Sequence, residues 1–232
     1  MNFVFDSRPS DSPFVEQVWR TQSEGGGSFV SVAESRWGMV ITRQKNGLYF
    51  TIRGPETKAS IAPVPEDAEF FGVIFQLGTY MPLLPAHQLI NNGIDFPNTD
   101  GRSASGQHFW LAGSAWQFPT FENVDTFLAR LAHDGLIAKE PVVHAALNGH
   151  LRESSLRSVQ RRFVRTTGLT QKAIQQIERA KQATALLEQG VSILDTVAAL
   201  GYFDQAHMTH ALKRLIGKTP AQILRKAPVT EF

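Results

Sequence analysis

Ser192 to Leu215 reads SILDTVAALGYFDQAHMTHALKRL, and its spacing decides the fold of the C-terminal third. Ser192-Ile193-Leu194-Asp195 has the form of a capping box: a hydroxyl accepts from first-turn amides, and an acid at N3 bonds back. Ile193, Val197 and Leu200 then recur at steps of four and three, making one apolar stripe. Gly201 supplies a permissive turn residue, and Asp204 is placed to cap the next helix. On that helix, over about residues 204–215, Met208, Leu212 and Leu215 face inward. Gln205, Thr209 and Lys213 lie on the opposite side, flanked by Ala206 and His210. That outward face suits a major groove: Gln for adenine, Thr for a thymine methyl or a phosphate, and a cation further along for the backbone. The stretch reads as a helix-turn-helix.

Working upstream, Ser155 is placed to cap a helix over about residues 155–166, whose Leu156, Val159 and Phe163 face inward. Arg157, Arg161 and Arg165 recur every four residues on its outer side, with Gln160 and Arg162 beside them. Like charges at this spacing repel by a few tenths of a kcal/mol per pair unless an anion relieves them. A solvated face is the bland alternative. With only Glu153 nearby to offset the arginines, DNA is the better fit. Ahead of this helix lie Val142 to Leu147 and then Gly149 to Ser154. Between the two units runs Thr170 to Glu188, with Ile174, Ile177, Ala180, Ala183 and Leu187 on its buried side and Gly190 as terminator. As a helix these 19 residues span about 29 Å. That length suits two recognition helices near the roughly 34 Å spacing of successive major-groove faces.

The stretch from Ser155 to Leu224 resembles the DNA-binding module of AraC/XylS-type regulators. The resemblance rests on Leu156-Arg157-Ser158-Val159-Gln160-Arg161-Arg162-Phe163, then Gly168-Leu169-Thr170, then Arg179, Ala183, Leu186 and Leu187. It continues through Ile193, Val197-Ala198, Gly201-Tyr202, Asp204-Gln205 and Gly217-Lys218-Thr219-Pro220. In that family two helix-turn-helix units sit on a connecting helix. The resemblance implies that Arg157, Gln160 and Arg161 touch DNA in the first unit, and Gln205, Ala206, Thr209 and His210 in the second. His210 stands where the family usually has Arg. Together with the short scaffold before Ser155, this leads to the expectation that the second unit discriminates bases and the first grips phosphates.

Charge follows the same division. Residues 1–140 hold 10 Lys/Arg against 15 Asp/Glu, net −5, while residues 141–232 hold 13 against 6, net +7. An acidic front and a basic back suggest two domains, the second with a polyanionic partner. There are no cysteines, which excludes disulfides, thiolate metal sites and cysteine nucleophiles and makes a reducing cytoplasm the default. No apolar run approaches the roughly 18 residues of a membrane span. Met1 to Asp6 lacks the basic start and apolar stretch of a signal peptide.

The front of the chain reads as β-structure. Phe14 to Trp19, Ser28 to Ala33, Trp37 to Arg43, Leu48 to Arg53 and Glu69 to Gln76 are short runs rich in Phe, Val, Ile and Trp. Asn46-Gly47 between the third and fourth signals a hairpin, with both residues at positive φ in a type I′ turn. A short helix is expected around Met81 to Ile90, and residues 97–120 read mostly as loop. Phe121, Val124, Phe127, Leu128 and Leu131 then fall at helical spacing. The front also resembles the β-barrel found before this module in some family members, through the hairpin leading to Arg53-Gly54-Pro55 and through Gly72-Val73-Ile74-Phe75 with Gly78. The resemblance implies a cupin-like barrel with sensing or dimerising duties. Trp37, Tyr49, Phe71, Phe75, Trp110 and Trp116 are candidate linings of an effector pocket, or simply core. His87 and His108 have no second His nearby, and His207 and His210 lack a third ligand, so no metal site is expected. Gly25-Gly26-Gly27 lacks the lysine and helix of a phosphate loop.

The expected architecture is α+β: an N-terminal antiparallel β-barrel (1–122), a linker helix (123–135) and an all-α double helix-turn-helix domain (136–228). The expected function is a bacterial, cytoplasmic, sequence-specific transcriptional regulator acting on double-stranded DNA, with no cofactor. RNA polymerase, a small effector and a second copy of the chain are candidate partners. Two alternatives stay open: an accessory or architectural DNA binder without effector, and a cupin-like enzyme fused to a DNA-binding module. No nucleophile elbow, metal-ligand set or paired carboxylates support the enzyme.

Overall fold

A computed structural model describes residues 4–96, 107–147 and 156–225. The chain divides into two compact units, each drawn from separated segments. The first comprises Met1–Phe29, Arg36–Pro55 and Pro63–Thr170; the second comprises Val30–Ser35, Glu56–Ala62 and Gln171–Phe232. The antiparallel β-rich front and the helical back expected from the sequence are both present.

The strands are β1 (Asp6–Arg8), β2 (Val15–Gln22), β3 (Gly27–Ser31), β4 (Gly38–Gln44), β5 (Gly47–Arg53), β6 (Ser60–Val64), β7 (Glu69–Phe75), β8 (Thr79–Tyr80), β9 (Gly93–Phe96), β10 (His108–Leu111), β11 (Ser114–Gln117) and β12 (Ala138–Lys139). The main sheet of the first unit has six strands in the order β1-β2-β7-β4-β5-β9. Every pairing in it is antiparallel. Alternation decides which side chains enter the core: Met39 and Ile41 on β4, Phe50 and Ile52 on β5, and Val73 and Phe75 on β7 are all buried. The short helix α1 (Ala86–Leu89) occupies only the end of the segment expected as helix. The next helix, α2 (Val124–His133), was expected to link two domains. It places Val124, Phe127, Leu128 and Leu131 in the core of the first unit.

Two turns differ from expectation. Gln44 pairs with Gly47, so Lys45-Asn46 form the β4–β5 turn and Asn46 does not take a positive φ. The type I′ requirement therefore does not apply there, although the hairpin itself forms. The segment read as loop contains the β10–β11 hairpin, and Ala112-Gly113 at its tip do carry positive φ, at 53° and 78°. Residues 97–106 of that expected loop lie outside the described residues, as does Ser155, the expected cap.

Helices α3 (Pro141–Leu147) and α4 (Leu156–Thr167) also belong to the first unit, where α4 packs against α1 and α3. The second unit holds α5 (Gln171–Glu188), α6 (Ile193–Ala199), α7 (Gln205–Leu215) and α8 (Pro220–Leu224). Ile174, Ile177, Ala180, Ala183 and Leu187 form the buried side of α5, as the spacing required. Thr219 and Gln222 close a reciprocal capping box at the start of α8. No helix among the described residues is long and apolar enough to cross a membrane.

Candidate nucleic-acid interface

The second unit builds an outward-facing helix from capped ends and a small core. Ser192 caps α6 by accepting the Asp195 N–H at 3.1 Å, and its own hydroxyl donates to the Asp195 carboxylate at 2.6 Å. The stripe of Ile193, Val197 and Leu200 is only half-buried. The fully buried side chain is Thr196, whose hydroxyl donates to the Ser192 carbonyl at 2.8 Å and so enters the core satisfied. Gly201 turns the chain at φ +64°. Asp204 then caps α7 by accepting the His207 N–H at 2.6 Å.

With α7 fixed in this way, Met208, Leu212 and Leu215 are buried. Gln205, Ala206, His210 and Lys213 are exposed, and Thr209 is half-buried. All five residues lie on α7. The His207 ring is engaged locally: its Nδ1 accepts the Phe203 N–H at 3.3 Å, and its plane meets Tyr202 edge-on at 5.4 Å. Phe203, which the sequence reading did not single out, stands 90% exposed in the turn before α7. Tyr202 is buried. Burial pushes its phenol up, with Arg179 pulling more weakly in the other direction, and its hydroxyl has no hydrogen-bond partner among the described residues.

On α4, Val159 and Phe163 are buried, whereas Arg157, Gln160, Arg161 and Arg165 are exposed. Arg157 and Arg161 pair with no carboxylate among the described residues. Arg165 does: its Nη2 lies 3.6 Å from Glu140 Oε2, while Arg162 lies 2.8 Å from Oε1. Glu140 is only 5% exposed and also accepts the Val142 N–H at 3.4 Å at the start of α3. A buried carboxylate therefore anchors one edge of the arginine row and leaves the other edge open. Nothing in the spacing of Lys139-Glu140-Pro141 marks that role.

The six aromatics proposed for an effector pocket fall into three environments: core, exposed surface and groove. Trp37 and Phe75 stack at 3.8 Å within the core, where the Trp37 indole N–H donates to the Thr79 carbonyl. Trp116 is buried against Phe127, with its indole N–H on the Leu111 carbonyl. Tyr49 and Trp110 are exposed. Only Phe71 lines the groove of about 910 Å³ in the first unit, beside Arg20, Arg43, Phe118 and Phe121. The arginines there are already paired, Arg20 with Asp6 and Glu122 and Arg43 with Glu69. Among the described residues no group of three or more His, Cys, Asp or Glu is placed to hold a metal ion.

Residues 153–226 match the family described as Helix-turn-helix domain. No curated protein matches the chain. Two solved structures of ToxT from Vibrio cholerae are similar over most of both chains. Apo ToxT with a lysine-to-alanine substitution, from strain SCE256, has 8% identity and a TM-score of 0.44, covering 95% of this chain and 100% of that one. ToxT in a second crystal form has 10% identity and a TM-score of 0.39, covering 95% and 98%. At these values neither likeness carries a feature over to this chain.

Proposed function

We infer from the helix-turn-helix domain at residues 153–226 that the chain is a DNA-binding transcriptional regulator of the AraC type, in which α7 reads bases and α4 grips phosphates. One observation carries this reading: Gln205, Ala206, His210 and Lys213 are exposed on a helix whose other side, Met208, Leu212 and Leu215, is fully buried. Bidentate Gln contacts to adenine need a side chain free to reach a base edge, and Gln205 at the start of α7 has that freedom. Arg157 and Arg161 on α4 suit sequence-independent phosphate contacts, because their guanidinium groups are uncompensated among the described residues. The net +7 of residues 141–232 supports the same assignment.

In this reading the front of the chain regulates. Its groove of about 910 Å³ has the size of a small-molecule site and mixes apolar walls with charged groups, which favours it over the core aromatics as the place for an effector. A second copy of the chain and RNA polymerase complete the proposed partner set. The test is selection of bound fragments from a genomic DNA library at physiological salt with competitor. Two enriched blocks about one helical turn apart would mean that α4 and α7 both read bases. One block is the expected result. No enrichment by folded protein, with or without added small molecules, would contradict the regulator.

A further inference from the structure

The C-terminal end of α7 is capped from the front of the chain. A helix leaves its last carbonyls without partners inside the helix. In α7 the Leu215 carbonyl accepts the Ala33 N–H at 2.7 Å, and the Arg214 carbonyl accepts the Ala59 N–H at 2.8 Å. These two amides come from different arms of a ribbon formed by residues 30–35 and 56–62, which belong to the second unit. The arms are tied to each other: Glu34 N–H donates to the Glu56 carbonyl at 3.0 Å and Glu56 N–H to the Glu34 carbonyl at 2.8 Å. The turn that follows α7 fits closely under the same ribbon. Gly217 has φ +79°, and a Cβ there would come within 2.8 Å of Val30 Cγ1 and 3.3 Å of Ala59 Cβ.

The ribbon also grips α5. Lys181 Nζ lies 2.6 Å from Glu34 Oε2, with both side chains about a quarter exposed. The Ser35 hydroxyl donates to Glu178 at 2.6 Å. One short ribbon is thus hydrogen-bonded to the reading helix and ion-paired to the helix on which it packs. Base reading tolerates displacements of about 0.5 Å and 10–20° in the groups that make it. Directional backbone hydrogen bonds at the end of a helix are suited to holding such a pose.

We propose that residues 30–35 and 56–62 are positioning residues for α7, so that base discrimination by the C-terminal helix-turn-helix depends on this ribbon. The proposal rests on the reading of α7 as the helix that reads bases. Its test uses full-length protein carrying Glu34→Lys, Lys181→Glu, or both, with two readouts: the ratio of cognate to random DNA affinity, and hydrogen exchange of the α7 amides. Each single reversal sets like charges against each other. Each should lower the ratio about tenfold and speed exchange in α7, and the double exchange should restore both. Ala59→Pro, which removes one capping amide, should act like the single reversals, and Ala59→Ser, which keeps it, should not. Unchanged exchange in α7 for the single reversals and Ala59→Pro overturns the positioning role. Faster exchange with an unchanged ratio overturns its link to base reading. A wild-type protein without any cognate preference overturns the underlying reading of α7 itself, a result distinguishable because the exchange data stand apart from it.

Discussion

Oε1 of Glu140 lies 2.8 Å from Nη1 of Arg162, joining a carboxylate at the start of α3 to the helix that carries the arginine row. Glu140 is nearly inaccessible while the Arg162 side chain is 44% exposed, so solvent shields one partner and not the other. Glu140→Gln should lower unfolding stability by about 1–3 kcal/mol, since two arginines lose a charge-assisted partner. It should also strengthen binding to random DNA, because Arg165, 3.6 Å from the same carboxylate, is released to meet phosphate. Denaturant unfolding and a salt titration of DNA binding check both effects. An unchanged unfolding midpoint would mean that the pair adds nothing to the first unit.

Arg157→Ala should weaken binding to all DNA alike and reduce the salt slope by about one. Affinity measured on a panel of single-base variants of the cognate site checks this. Relaxed preference at one or two defined positions would instead make α4 a base reader.

Asp125 provides a pH signature. Burial raises its pKa, but the Ser10 hydroxyl and the Arg8 guanidinium, 2.9 Å away, outweigh that and hold the carboxyl below its ordinary value. A pKa lowered on folding adds stability that is complete above the unfolded carboxylate range, near 4, and is lost as pH falls through the folded value. The stability difference between wild type and Asp125→Asn should therefore be largest near neutral pH and shrink in acid. Urea unfolding at several pH values reads it. A difference that grew in acid would reverse the assignment.

Tyr202→Phe should leave stability unchanged or raise it by up to about 1 kcal/mol, because the deleted hydroxyl is buried without a partner among the described residues. A marked drop in melting temperature would show that the hydroxyl is satisfied.

Much of this was legible in the sequence because side-chain periodicity carries it. The buried side of α5 and the inward and outward sides of α7 follow directly from residue spacing. The β4–β5 hairpin was legible too, although its turn falls one residue early. The β10–β11 hairpin was hidden because its strands are four residues long and lie beside a Gly- and Ser-rich stretch. The effector-pocket aromatics mark a limit of spacing: a strand pattern separates buried from exposed residues, yet a buried ring looks the same in a core as in a cavity. The ribbon on α7 left no trace at all. Its contacts are backbone amides of two alanines, and an amide is common to every residue except proline.

The most direct measurement is the affinity of Gln205→Ala for a selected cognate site and for random DNA, at one salt concentration. With α7 reading bases through its exposed face, the loss should be about 1–3 kcal/mol at the cognate site and much smaller on random DNA. Equal losses on both would contradict base reading by Gln205 and remove the observation on which the account rests.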